Sequence, residues 1–383
     1  MSRTGFRPAF SLLLAVLLLA GVCLTGCSSD RSPAVMTFRG TTVSENLFRY
    51  WMASYKAYFL QLVGGQDSDA WLNGEWSVSN EDGSVVSMTA GEYLQERILG
   101  VIRSNLISLR LFEEYGLSLP DSARRDVEVL IESEIENAGS RRALNEKLAA
   151  IGITIDQLRE FKLAEEKINC VYSYLYGETA NGVTVSSGAE PISEEQYDAF
   201  YQAHYVLVKH IYIRTKDRNV LDADGNVQYT SSGTVLTEPL SEEESAQKYA
   251  LCDSLMELLS GGADFDELMQ EYSEDAGRRN YPNGYIVSRS SSLPEEFLEN
   301  AFDMQIGELR RVDASYATHI MIREPLPERG WEDENWKGFL GSIQEYVTSE
   351  VFAEKIAPMI LEIVCDEDRV SENSIFLVPA VDY

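Results

Sequence analysis

"YVLVKHIYIR", residues 205–214, is an apolar run with one imidazole, His210, at its centre. A second run, "YATHIMIRE", residues 316–324, carries His319 in the same way. Alternating apolar side chains over such a length predict β-strands with a buried face. His204, His210 and His319 are the three histidines of the chain, and two of them sit on strands about a hundred residues apart. Singly, each imidazole reads as a satisfied core position. On adjoining strands the two would form a site, because each neutral ring carries one donor and one acceptor.

The pattern between the two strands is mixed. It holds a polar, hairpin-like excursion ("DADGNVQYTSSGTV"), then a helix that Ser241 and Glu244 cap. "DFDELMQEYSED", a glycine-containing loop and "LPEEFLENAFDM" follow. This is an α+β unit. Upstream, residues 36–177 are mostly helical after a short strand and a turn at Arg39-Gly40. Ser44 is the expected N-cap of a first helix whose inner face is Leu47, Trp51, Tyr55, Tyr58 or Phe59, and Leu62. Residues 64–88 read as a loop or hairpin, and Thr89 with Glu92 opens the next helix. "GETANGVTVSSGAEP" (177–191) reads as a polar linker, and "ISEEQYDAFYQAH" as a short helix leading into the first histidine strand. Downstream, Trp331–Val364 is helical except where Pro358 bends or interrupts it. A tail with one apolar run, "SIFLVPAV", closes the chain.

The opening residues, "MSRTGFRPAFSLLLAVLLLAGVCLTGCSSD", have Arg3 and Arg7 ahead of an apolar stretch that ends in small residues. That is an export signal, too short for a permanent membrane span. Its "LTGC" ending resembles the lipobox of bacterial lipoproteins, which implies acylation at Cys27 and a tether over 27–35. Two acyl chains hold a protein to a membrane stably where one does so marginally. The signal carries two arginines and no acid, so its removal takes the formal charge from −30 to −32. Such a charge excludes nucleic-acid binding and favours a covalent lipid anchor over an electrostatic one. Beyond Cys23 and Cys27, the cysteines are Cys170, Cys252 and Cys365. They have neither disulfide-framework nor metal-ligand spacing and are expected to be small buried apolar groups. No phosphate loop, zinc motif or serine-nucleophile elbow is present, so neither a metal nor a cofactor is expected. Paired acids such as Asp222/Asp224 and Glu242–Glu244 read as solvated faces.

Four motifs in order resemble a parvulin-type peptidyl-prolyl cis-trans isomerase. They are "VKHIYI", "LLSGGADFDELMQEYSED", "EEFLENAFDMQIGEL" and "THIMI". The preceding segments "EEYGLSLPDSARRDVEVLI", "IGITIDQLREFKL" and "ISEEQYDAFYQAH" resemble the N-terminal chaperone region of the SurA and PrsA foldases. With the lipobox, the chain resembles a PrsA-type foldase lipoprotein. The resemblance implies an α+β architecture in which an isomerase domain is inserted in a helical chaperone domain. Its parts are a signal peptide (1–26), a tether (27–35), a helical domain (36–200), a parvulin-like domain (201–326) and a C-terminal segment (327–383) returning to the helical domain. It also implies catalytic roles for His210, Asp275 and His319, and substrate binding by Tyr285, Leu293 and Phe297. The implied partners are unfolded or nascent secreted polypeptides with Xaa-Pro bonds and the membrane at Cys27, with a homodimer also open. The location would be the extracytoplasmic face of the cell membrane. His204 matches no position of the family and reads as structural.

The sequence also departs from the family. The family's glycine-rich loop is reduced to "NYPNGYIV", with Gly284 remaining. Ala317 and Thr318 stand before the second histidine, Leu293 replaces a methionine, and an insertion at 217–238 follows the first strand. These departures keep open a non-catalytic holdase in which the aromatic-rich segment "FRYWMASYKAYF" binds clients. A solute-binding lipoprotein fits less well, because the βαβ repeats of two-lobed folds are absent.

Overall fold

A computed structural model of the protein describes residues 30–79, 85–180 and 183–381. The expected export signal and the expected acylation site at Cys27 lie outside these residues. The chain divides into two compact units: one runs to Pro191 and resumes at Phe352, and the other is Ile192–Val351.

In the first unit, β1 (Ala34–Phe38) and β2 (Thr41–Ser44) form a hairpin closed by Arg39 and Gly40. Both turn residues have positive φ, 44° and 89°, the two-residue turn whose twist matches that of its strands. Ser44 caps α1 (Glu45–Leu62) through the Leu47 N–H. β3 (Glu75–Ser79) and β4 (Val85–Thr89) pair antiparallel. A Thr89–Glu92 capping box starts α2 (Ala90–Glu114), and α3 (Asp121–Asn137), α4 (Arg141–Ala149) and α5 (Ile155–Tyr176) follow. Residues 177–191, expected as a linker, contain a hairpin of β5 (Gly177–Ala180) and β6 (Val183–Ser187). The β-branched residues at 179, 183, 184 and 185 supply strand propensity that the polar composition obscures.

The inner face of α1 also differs from expectation. Leu47 and Trp51 are buried, but Tyr58 and Leu62 are 58% and 66% exposed. Lys56 turns inward instead, 2% exposed. Its ammonium donates to the carbonyls of Ile375 at 2.7 Å and Val378 at 2.9 Å, and pairs with Asp67 at 2.5 Å. A buried cation is tolerable only when its donors are satisfied in this way.

In the second unit, α6 (Glu194–His204), capped by Ser193 with Gln196, runs directly into β7 (Tyr205–Ile213). The insertion is a hairpin of β8 (Asp217–Asn219) and β9 (Thr237–Pro239), prolonged by bridges Leu221–Val227 and Tyr229–Val235. Next come α7 (Glu242–Ser260), α8 (Phe265–Tyr272), β10 (Tyr285–Ser288), α9 (Glu295–Asp303), β11 (Leu309–Asp313) and β12 (Thr318–Glu324). The sheet is fully antiparallel in the order β10-β7-β12-β11. On one face Ile211, Ile213 and Ile320 pack on Cys252 and Leu255 of α7 and Met269 of α8. On the other, Val206, Val208, Val287 and Met321 pack on Phe297, Leu298 and Ala301 of α9.

The unit boundaries differ from the expected 36–200, 201–326 and 327–383. Residues 192–200 and 327–351 belong to the second unit. Tyr205, Leu207 and Ile286 leave an apolar patch at one end of the sheet, and Phe200, Trp336, Leu340, Ile343 and Val347 cover it. The division falls within α10 (Ile343–Ile360), which contains Pro358 without interruption. β13 (Val364–Cys365) then pairs with β1, and α11 (Glu367–Glu372) follows. Of the three cysteines among the described residues only Cys252 is buried; Cys170 and Cys365 are partly exposed.

Candidate active site

Antiparallel register brings the two imidazoles together. Met321 stands opposite His210, and His319 opposite Tyr212. His210 and His319 are therefore diagonal neighbours on one face, a spacing that aromatic side chains bridge. Their rings lie 5.2 Å apart with planes 11° from parallel, and Nδ1 to Nδ1 is 2.9 Å. The Phe297 ring of α9 closes on both, 5.3 Å from each. Phe297 and His319 are 3% and 4% exposed.

Asp275 reaches the pair from the turn after α8. It caps the short 3-10 turn Ala276–Arg279, its Oδ1 accepting the Gly277 N–H at 2.9 Å. Its Oδ2 accepts the Tyr285 hydroxyl at 2.5 Å and lies 3.4 Å from His210 Nε2. The last distance is longer than a well-formed hydrogen bond. Burial pushes the Asp275 carboxyl up, but the His210, Tyr285 and Gly277 donors outweigh it and hold the group well below the usual carboxylate range. Burial, then the Asp275 charge, pushes the Tyr285 phenol up. Burial and the neighbouring His210 ring hold His319 down at about 3, against the pull of Asp275. The site therefore presents a neutral buried imidazole and an ionised carboxylate at neutral pH.

Two glycines permit these approaches. A Cβ on Gly277 would stand 2.1 Å from the Tyr285 hydroxyl oxygen. Gly284, which leads into β10 at φ 97°, would place a Cβ 2.5 Å from the Val208 carbonyl oxygen. Tyr285 is backed by the rings of Tyr281 and Phe339, at 5.4 and 5.8 Å.

Of the residues singled out from the sequence, His210, His319, Asp275, Tyr285 and Phe297 converge. Leu293 is 37% exposed and is not among the buried residues clustered with Phe297. It sits in the serine-rich turn ahead of Pro294, with its N–H bonded to the Ser291 carbonyl. His204 lies apart, paired with Glu350 at 3.0 Å, its ring tilted against that of Phe200. Sequence reasoning missed Gly277, Tyr281, Tyr316 and Phe339. Tyr316 had a signal, since it lies three residues before His319 in the same run.

A four-stranded antiparallel sheet flanked by helices, with two bonded imidazoles on its central strands and a carboxylate beside them, defines the parvulin class of peptidyl-prolyl isomerase domain. Residues 201–323 match the PPIC-type PPIase domain family, and this segment is a parvulin-type peptidyl-prolyl cis-trans isomerase domain. No curated relative matches the chain. Among solved structures the chain is similar to PrsA from Bacillus subtilis, at 14% identity and a TM-score of 0.22, over 77% of this chain and 88% of that one. Against a PrsA peptidylprolyl isomerase from Bacillus cereus the values are 16% and 0.28, over 77% and 95%. Against the peptidyl-prolyl isomerase ESS1 from Candida albicans they are 20% and 0.24, over 37% and 81%.

Proposed function

We propose that the protein is a membrane-anchored, extracytoplasmic peptidyl-prolyl isomerase and chaperone acting on secreted polypeptides that contain Xaa-Pro bonds. The observation that carries the reading is the 2.9 Å contact of His210 with His319, next to Asp275, inside a matched isomerase domain. Rotation about a prolyl amide is opposed by about 20 kcal/mol and takes tens of seconds uncatalysed. No covalent intermediate is needed; the catalyst must favour the twisted amide over the planar one.

Phe297 offers an apolar surface for the proline ring, and the imidazole pair stiffens the floor beneath it. The planar amide draws negative charge onto its oxygen, and twisting returns that charge. A carboxylate held ionised beside the oxygen therefore raises the planar state relative to the twisted one. Asp275 is proposed for that role, with Tyr285 orienting it. At the membrane, a diacyl group on Cys27 would supply the anchor. The helical unit would hold unfolded clients.

The holdase alternative is favoured by one observation. Leu293, where the family has a methionine, is 37% exposed and belongs to no buried cluster with Phe297. A protease-coupled assay on a short Xaa-Pro peptide separates the two. Turnover in the intact protein that falls at least about tenfold in His210→Ala and in Asp275→Ala supports catalysis. No turnover in the intact protein, with suppression of client aggregation retained, establishes the holdase. Fractionation of Cys27→Ala away from membranes tests the anchor.

A further inference from the structure

We propose that a hollow at one end of the isomerase sheet is a second client subsite. It seats one large apolar side chain of a bound polypeptide and holds a neighbouring client carboxylate on Arg289. The proposal rests on the reading that the protein acts on polypeptides with Xaa-Pro bonds, and adds a specificity away from the proline.

The hollow has a volume of about 360 Å³ and lies wholly within the second unit. Phe200 of α6 and Tyr205 at the start of β7, 9% and 4% exposed, form its floor. Phe302 of α9 and Tyr346 of α10 supply apolar walls, and Arg289 is exposed at the rim. A concave, mostly apolar space with a few polar groups at its edge is the usual form of a ligand site, and this one suits a single aromatic or long aliphatic side chain. Arg289 gives it a charge preference. The guanidinium lies 4.4 Å from the centre of the Phe302 ring, a stack that holds its planar fork beside the hollow. Among the described residues Arg289 makes no ion pair. On its other side it borders a polar hollow with Glu299 and Asp303, but Asp303 is engaged by Arg310, and Glu350 by His204. In a chain of formal charge −30, an unpaired guanidinium against apolar surface is a local exception. Its fork takes a carboxylate through two parallel hydrogen bonds.

Two of the elements that build the isomerase site run on to the hollow, and this identifies the occupant. Ser288, which lines the hollow, is three residues beyond Tyr285 on β10, about 10 Å along the strand. Phe302 is five residues beyond Phe297 on α9, a rise of about 7.5 Å. It packs against the same buried cluster. An extended polypeptide advances about 3.3 Å per residue, so a client with its proline at Phe297 reaches the hollow about three residues away.

The test uses the full chain and fluorescein-labelled peptides with one Ala-Pro bond, read by fluorescence anisotropy. Two peptides carry Phe-Glu about three residues from the proline, one before it and one after it. Their controls carry Ala-Glu or Phe-Lys in the same place. One of the two Phe-Glu peptides should bind at least about fivefold more tightly than both of its controls. In Arg289→Glu the preference should turn to Phe-Lys. In Ala203→Trp, which fills the hollow from an exposed position on α6, the preference for Phe over Ala should vanish. Equal affinity for Phe-Glu peptides and controls overturns the proposal, as does a preference that both variants leave intact. Laurate binding that depends on Arg289, without any peptide preference, overturns it in favour of a lipid carboxylate. The peptide preference without turnover in the protease-coupled assay refutes the isomerase reading and leaves the subsite standing; turnover without the preference does the reverse.

Discussion

Gly277 is where a single missing atom matters most. Its N–H holds one oxygen of Asp275, while the space of an absent Cβ admits the Tyr285 hydroxyl to the other. Gly277→Ala should push Tyr285 off Asp275 and lower kcat/KM about tenfold, roughly as Tyr285→Phe does. In the Tyr285→Phe background the same alanine should cost much less, because its clash partner is gone; a double-mutant cycle measures the coupling.

His319 makes a separate prediction about pH. Its folded value, about 3, lies below the ordinary 6.5. Its contribution to stability is therefore full above pH 6.5 and is lost progressively as the pH falls towards 3. Asp275 is also depressed, but its contribution persists to lower pH and fades only beneath the ordinary carboxylate value near 4. Urea midpoints at pH 7 and pH 5 should fall further in the intact protein than in His319→Gln. An equal fall would remove His319 as the cause.

At the scale of elements, the central strands β7 and β12 carry the isomerase unit because both their faces are covered. Ile320 is 0% exposed between β7 and the helices α7 and α8. Ile320→Ala should cost about 2–5 kcal/mol in denaturant unfolding, whereas Leu293→Ala, at an exposed position, should cost less than about 0.5. The helix starts were legible beforehand. Ser44, Thr89 and Ser241 each sit where a hydroxyl meets an N–H three residues on, a relation written in adjacent residues. The inner face of α1 was not, since Lys56 points inward only because carbonyls of residues 375 and 378 await it. Period alone assigns a lysine to water.

Across the molecule, the chain divides into two units, of which the second is Ile192–Val351. A fragment of residues 192–351 should fold cooperatively, as thermal unfolding with circular dichroism would register. A fragment of 205–326 should be strongly destabilised, because it strips Phe200, Trp336, Leu340, Ile343 and Val347 from Tyr205, Leu207 and Ile286. Equal stability of the two fragments would show that this cover is dispensable.

Period and capping were enough to give the strands, the capped helices and the α+β class, and the motif resemblance named four residues that meet around His210, namely His319, Asp275, Tyr285 and Phe297. Each depends on period, capping or motif order, which neighbouring residues carry. Lys56 and the unit boundaries were decided only when distant segments packed. Whether a side chain faces a site or water depends on what occupies the space opposite it, and here that occupant lies scores or hundreds of residues away.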